Sequence, residues 1–124
     1  MVQLFLMILF NLTVTTVNQS RLSHSRIMDE REHKVIMQVS NLRAGEQQVI
    51  VSQINNLLNS LPKATVKVVF HSQGLPLVVA KESHVAPHAR ALLKRGVIFA
   101  ACENTMERKG ISKEDLLRRI TSVP

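Results

Sequence analysis

The sequence predicts a three-layer α/β domain with a mostly parallel sheet and helices on both faces. Short β-branched runs alternate with amphipathic stretches in the order β-α-β-α-β-α-β, a pattern typical of parallel strands joined by right-handed crossovers. The 124 residues suffice for one hydrophobic core. Hydrophobic residues make up 45% and charged residues 20%, which is an ordinary balance for a globular protein.

The N-terminal region differs from the rest, so we divide the chain into residues 1–31 and a single domain at 32–124. Residues 2–17 are largely apolar and carry no charge. They resemble the apolar part of a signal peptide or anchor, but no Lys or Arg precedes them and no small-residue cleavage site follows. The run is also shorter than the ~20 residues of a membrane span. We expect either an exporting or anchoring segment within residues 1–20, or a non-structural extension with the functional start near Met28; no firm membrane association is predicted.

The sequence pattern in the first half of the domain predicts two strands joined by a helix. Lys34–Val39 is the first strand, and residues 40–45 form the loop at its carboxyl end. In residues 46–60 the apolar positions recur at helical spacing, which predicts an amphipathic helix with one core-facing side. These positions are Ile50, Ile54, Leu57, Leu58 and, just beyond, Leu61. The valine-rich Thr65–Phe70 is the second strand.

The connection to the third strand contains the predicted turns. Residues 71–74 form a loop in which Gly74 is expected to supply a positive φ. Residues 76–81 are predicted to make a helical turn. Residues 87–95 are predicted to form a helix that ends at Gly96.

Residues 97–101, Val-Ile-Phe-Ala-Ala, form a short apolar run that predicts a strand buried on both faces. Cys102 follows directly. Residues 104–109 then predict a short helix with Gly110 as its stop, and Ser112 with Asp115 predicts a capping pair. Residues 120–123 are predicted to begin a fourth strand.

Cys102 is the only cysteine, which excludes an internal disulfide and a multi-cysteine metal site. A lone thiol suits a reducing compartment, so a cytoplasmic location is predicted, with export through residues 1–20 as the alternative. The thiol lies where a strand ends and a helix begins, a position that favours ligand binding and a lowered pKa. The alternative is a buried, inert cysteine that only fills the core.

Residues 95–111 resemble the DsrE/DsrF-like (YchN-like) sulfur-relay family, through the pattern Gly-Val-x-Phe-x-x-Cys-x-Asn-Thr followed by a glycine. Residues 68–75 look like that family's second strand and loop, and the similarity extends from about Lys34 to the C-terminus. The resemblance implies a flavodoxin-like or DsrE-like fold and homo-oligomers, commonly trimers or hexamers. It also implies a further helix and a last strand. This sequence stops at Pro124, so we expect either that the sequence is shortened or that the last strand is absent. In both cases a sheet edge is left to be covered, by a neighbouring subunit or by the N-terminal segment.

The resemblance also implies the strand order 2-1-3-4, with a topological switch between the first and third strands. Under that order Asn41 and Cys102 face each other across the switch. We predict that Cys102 accepts a sulfane sulfur as a persulfide and passes it on, acting as a carrier or sulfurtransferase between donor and acceptor proteins. Asn104 and Thr105 are predicted to stabilise the anion, or else simply to cap the helix. Asn41 and Gly74 are the other supporting residues predicted for this site.

Neighbouring charges are expected to act on the thiol in opposite directions. Glu103 raises its pKa, and Arg108 and Lys109 offset this if they point toward the sulfur. The rival function is a non-catalytic oligomeric interaction domain with a structural cysteine.

Other classes of function have weaker support. His84 and His88 have the i, i+4 spacing of zinc ligands, but Pro87 lies between them and no third ligand is evident, so no metal is predicted. No Gly-x-Gly-x-x-Gly or Walker pattern is present, so no cofactor is predicted. The net charge is +7, yet aromatic residues do not interleave with the basic ones, so we predict a solvated basic surface and no nucleic-acid partner.

Overall fold

The computed structural model describes residues 31–124; the predictions for residues 1–30 lie outside the described residues. The strands are β1 (Lys34–Val39), β2 (Thr65–Phe70), β3 (Ile98–Cys102) and β4 (Thr121–Val123). The helices are α1 (Gln47–Ser60), α2 (Ala86–Lys94) and α3 (Glu103–Lys109), and short 3₁₀ segments occupy Ala44–Glu46, Ser72–Val78 and Lys113–Asp115. Within residues 31–124, no helix is both long enough and apolar enough to cross a membrane.

The four strands form one parallel sheet in the order β1-β2-β3-β4. This confirms the predicted α/β class and agrees with a three-layer fold. The predicted strand order 2-1-3-4 is wrong, because β2 lies between β1 and β3. Each crossover steps one strand in the same direction, so no topological switch occurs between the first and third strands.

The core lies between one face of the sheet and the helices α1 and α2. Phe70 and Phe99 meet edge to face at its centre, with ring centroids 5.1 Å apart and planes at 77°. The core-facing residues of the two helices are Val51, Ile54, Leu58, Ala89, Leu92 and Leu93. Of the predicted α1 positions, Ile54 and Leu58 are buried, whereas Ile50, Leu57 and Leu61 are half-buried.

The opposite face of the sheet is less covered. Ile36 in β1 is 72% exposed and Ile98 in β3 is 40% exposed, and both align with Lys67 of β2. The prediction that the third strand is buried on both faces is therefore wrong at Ile98, although residues 99–101 are buried. This face carries apolar side chains that are separate from the main core.

The predicted helix stops are confirmed at Gly96 and Gly110, whose φ values are +94° and +64°. The predicted capping pair is also confirmed, since the Ser112 N–H and hydroxyl both donate to Asp115 Oδ2, at 2.8 and 3.1 Å. The predicted positive φ at Gly74 is wrong. The left-handed residue in that loop is Ser72, with φ +50°.

A buried glutamine connects the start of α1 to the segment before α2. Gln47 is 2% exposed; its Nε2 donates to the Glu82 carbonyl at 3.2 Å, and its Oε1 accepts from the His84 N–H at 2.7 Å. We expect Gln47→Leu to lower the free energy of unfolding by about 1–3 kcal/mol, because both backbone groups lose their partner. Urea denaturation measures this. The neighbouring, exposed Gln48→Leu serves as the control, and equal stabilities of the two variants would contradict the prediction.

Candidate functional site

Cys102 is the last residue of β3 and immediately precedes α3. Its backbone is extended, with φ −72° and ψ 118°, and α3 begins at the next residue. The thiol is free and half-exposed. Cys102 therefore lies at the carboxyl end of a parallel sheet, within reach of solvent, rather than inside the core.

Thr105 is buried beside this thiol, at 1% exposure. Its Oγ1 accepts hydrogen bonds from the Ser72 N–H at 3.0 Å and from Arg108 Nη2 at 3.4 Å. A hydroxyl has two lone pairs and one hydrogen, so with both lone pairs engaged its hydrogen is left to donate. The Thr105 hydroxyl is one of the groups that lower the pKa of the Cys102 thiol.

The surroundings of Cys102 lower the pKa of its thiol. The backbone N–H of Thr105 is the largest cause, followed by burial, which acts in the opposite direction. The Thr105 hydroxyl, the Asn104 N–H and the charge of Arg108 lower the pKa further. The Cys102 side chain makes no capping hydrogen bond to the backbone of α3. The pKa is therefore lowered by several groups together, each of which favours the negatively charged thiolate.

The charged neighbours are arranged in favour of the thiolate. The Glu103 carboxylate accepts a 2.7 Å hydrogen bond from the Ser122 hydroxyl, which holds it toward β4. Arg108, whose Nη2 donates to Thr105 Oγ1, lowers the pKa of the thiol through its charge. Lys109 instead donates to the Ser72 carbonyl at 2.9 Å.

Ser72 belongs to the site but was not found from the sequence. Its N–H binds Thr105, its carbonyl binds Lys109, and its hydroxyl lies 3.4 Å from His71 Nδ1. The left-handed backbone at Ser72 is unusual for a residue with a side chain. The sequence around Ser72 does not indicate a site residue, because the hydrogen bond from Ser72 to Thr105 forms only when β2 and β3 are neighbouring strands.

The remaining predicted residues lie on the β1 side of the site. Gly74 is buried against the end of β1, where an added Cβ would meet the backbone of Val39. Asn41 is exposed, in the loop after β1. β1 and β3 are two strand spacings apart, roughly 10 Å, with β2 between them. The predicted crevice that joins Asn41 to Cys102 is therefore not formed, and the 71–74 loop lies between the two instead.

Metal-ligating side chains are not clustered in the described part of the chain. Among residues 31–124, no group of three or more His, Cys, Asp or Glu side chains is placed to hold a metal ion. His84 precedes α2 and His88 lies within it, so the two do not share one helical face.

No protein-family model and no curated protein matches the chain. Among solved structures, the chain is similar to a protein of unknown function, MTH1491, from Methanobacterium thermoautotrophicum. The two share 25% identity with a TM-score of 0.68, over 73% of this chain and 81% of that one. The similarity supports the α/β fold.

Proposed function

We propose that this protein is a sulfur relay that carries sulfane sulfur as a persulfide on Cys102. The observation that carries the proposal is a half-exposed thiol whose pKa is lowered by the N–H and hydroxyl of Thr105. The thiolate, not the thiol, is the nucleophile toward sulfur, so these groups enlarge the reactive fraction at neutral pH. The resemblance of residues 95–111 to DsrE/DsrF-like proteins supports the same activity.

The proposed reaction has two displacement steps. In the first, the Cys102 thiolate attacks the outer sulfur of a donor persulfide; a new S–S bond forms, the donor's S–S bond breaks, and the donor leaves as a thiolate. In the second, an acceptor thiolate attacks the terminal sulfur, and Cys102 leaves with the electron pair as a thiolate. No external oxidant or reductant is needed, because sulfur is transferred at a constant overall oxidation level.

The site residues contribute to both steps in the same way. Thr105, Asn104 and Arg108 stabilise negative charge on the sulfur, which favours the attacking form first and the leaving group later. Such a protein is a carrier, with sulfurtransferase activity only when donor and acceptor proteins are present. A lone thiol used in this way requires a reducing compartment, so we propose a cytoplasmic location.

The intact mass of the full chain after incubation with a persulfide donor tests the proposal. We expect a gain of one or more sulfur atoms that a reductant removes, in the wild type and not in Cys102→Ser. The matched control is alkylation of the native protein at neutral pH, which shows whether the thiol is accessible. A wild type that gains no sulfur although its thiol alkylates readily would refute the relay.

A second candidate is a non-catalytic oligomeric interaction domain of the same fold. The exposure of Ile36 and Ile98, which flank Lys67 on the less covered face of the sheet, favours it, because exposed apolar side chains on one face are typical of contact surfaces. In this case Cys102→Ser leaves the protein's behaviour unchanged, whereas Ile36→Asp changes its oligomeric state, which light scattering measures. A trimer or hexamer is the proposed assembly.

A further inference from the structure

A basic groove lies between α2 and the turn that precedes β4. Its lining residues are Arg90, Leu93, Lys94, Arg118 and Arg119, around a cavity of about 260 Å³. Four of the five are cations, and no carboxylate is among them. Leu93, which is 5% exposed, is the apolar residue of the lining.

These four cations have no partners within the described residues. Elsewhere in residues 31–124 several basic side chains are engaged: Arg95 donates to Asn55 and Asn59 at 2.7 and 3.2 Å, and Lys109 donates to Ser72. None of the four groove cations donates a side-chain hydrogen bond or forms an ion pair in that part of the chain. Arg90 and Lys94 are also one helical turn apart on α2, where like charges repel.

Arg119 is held in the groove at an energetic cost. It lies in a turn closed by the Ile120 N–H, which donates to the Leu117 carbonyl at 3.4 Å. Its φ is +69°, the left-handed region that favours glycine at this position of a turn. An arginine kept in a conformation suited to glycine is the kind of local strain that concentrates at binding sites.

The geometry points to a binding site for a small anionic molecule that carries phosphate groups. Arginine guanidinium groups bind phosphate oxygens through paired hydrogen bonds, and three arginines and a lysine line this groove. The cavity is smaller than a typical drug-sized pocket, which suits a diphosphate group rather than a large ligand. The groove and the thiol lie at opposite ends of β4. Arg118 and Arg119 come just before its first residue, whereas Cys102 is paired with its last residue, Val123.

Calorimetric titration of the full chain with inorganic pyrophosphate tests this site. The groove variant is Arg90→Gln with Arg118→Gln. The charge-matched control is Lys34→Gln with Arg43→Gln, at the opposite edge of the sheet. We expect one saturable site in the wild type and in the control, and weakening by about tenfold or more in the groove variant. Equal weakening in both double variants, or no saturable binding to the wild type, would overturn the proposal.

A second measurement needs no variant. Backbone amide signals of the wild type are followed by NMR during the same titration. We expect the shifts to be confined to residues 90–94 and 117–121. Shifts that are spread over the basic surface, with none larger in these two segments, would mean diffuse charge attraction and would overturn the groove as a site.

Discussion

Gly74→Ala is expected to lower the free energy of unfolding by about 3 kcal/mol or more. A Cβ at this position would lie 2.6 Å from the Val39 carbonyl carbon, closer still to its oxygen, and 2.9 Å from Val39 Cγ1. The obstruction is mostly backbone, and the Val39 carbonyl is already bonded to the His71 N–H at 3.1 Å. Relief therefore requires the 71–74 loop to separate from β1. Urea denaturation followed by circular dichroism measures the loss.

The control for this prediction is Gly45→Ala. An added Cβ at Gly45 meets nothing within 4 Å, and its φ is not in the left-handed region. We expect that variant to be neutral or slightly stabilised, because alanine has fewer unfolded conformations to lose. Equal urea midpoints for the two variants would contradict the prediction, because they would show that the protein tolerates a Cβ at Gly74 next to Val39.

Thr105→Val is expected to slow the reaction of Cys102 with an alkylating reagent at neutral pH by at least several-fold. Thr105 lowers the pKa of the thiol, so loss of its hydroxyl raises that pKa and reduces the thiolate fraction. The thiolate fraction falls roughly tenfold for each unit by which the pKa rises above the working pH. At a pH above both pKa values the two proteins react at similar rates. The rate of alkylation as a function of pH therefore measures the effect directly.

Two variants separate the hydroxyl's role from general damage to the fold. Thr105→Ser keeps a hydroxyl and is expected to retain most of the reactivity at neutral pH. Thr121→Val makes the same chemical change at an exposed residue whose Oγ1 donates to the Phe99 carbonyl at 3.0 Å, and is expected to leave the pH profile unchanged. A profile for Thr105→Val that matches the wild type would show that the hydroxyl does not act on the thiolate.

The elements of this fold are predictable from local sequence. β1 and β2 have the predicted bounds, α1 begins one residue later than expected, and Gly110 ends α3 in the left-handed conformation. These features depend on side-chain periodicity, on short capping contacts and on glycine's freedom at positive φ, all of which span a few residues. The position of Cys102 at the end of a strand follows from the same local signals.

The strand order and the contact between Ser72 and Thr105 were decided only by the tertiary structure. The pattern of β-α units is the same for the orders 2-1-3-4 and 1-2-3-4, because each crossover is local to its own pair of strands. The order 1-2-3-4 places β2 beside β3, and this brings the Ser72 N–H to the hydroxyl oxygen of Thr105. That contact joins residues 33 positions apart. It depends on which strands share hydrogen bonds across the sheet, which a sequence period of two or 3.6 residues does not encode.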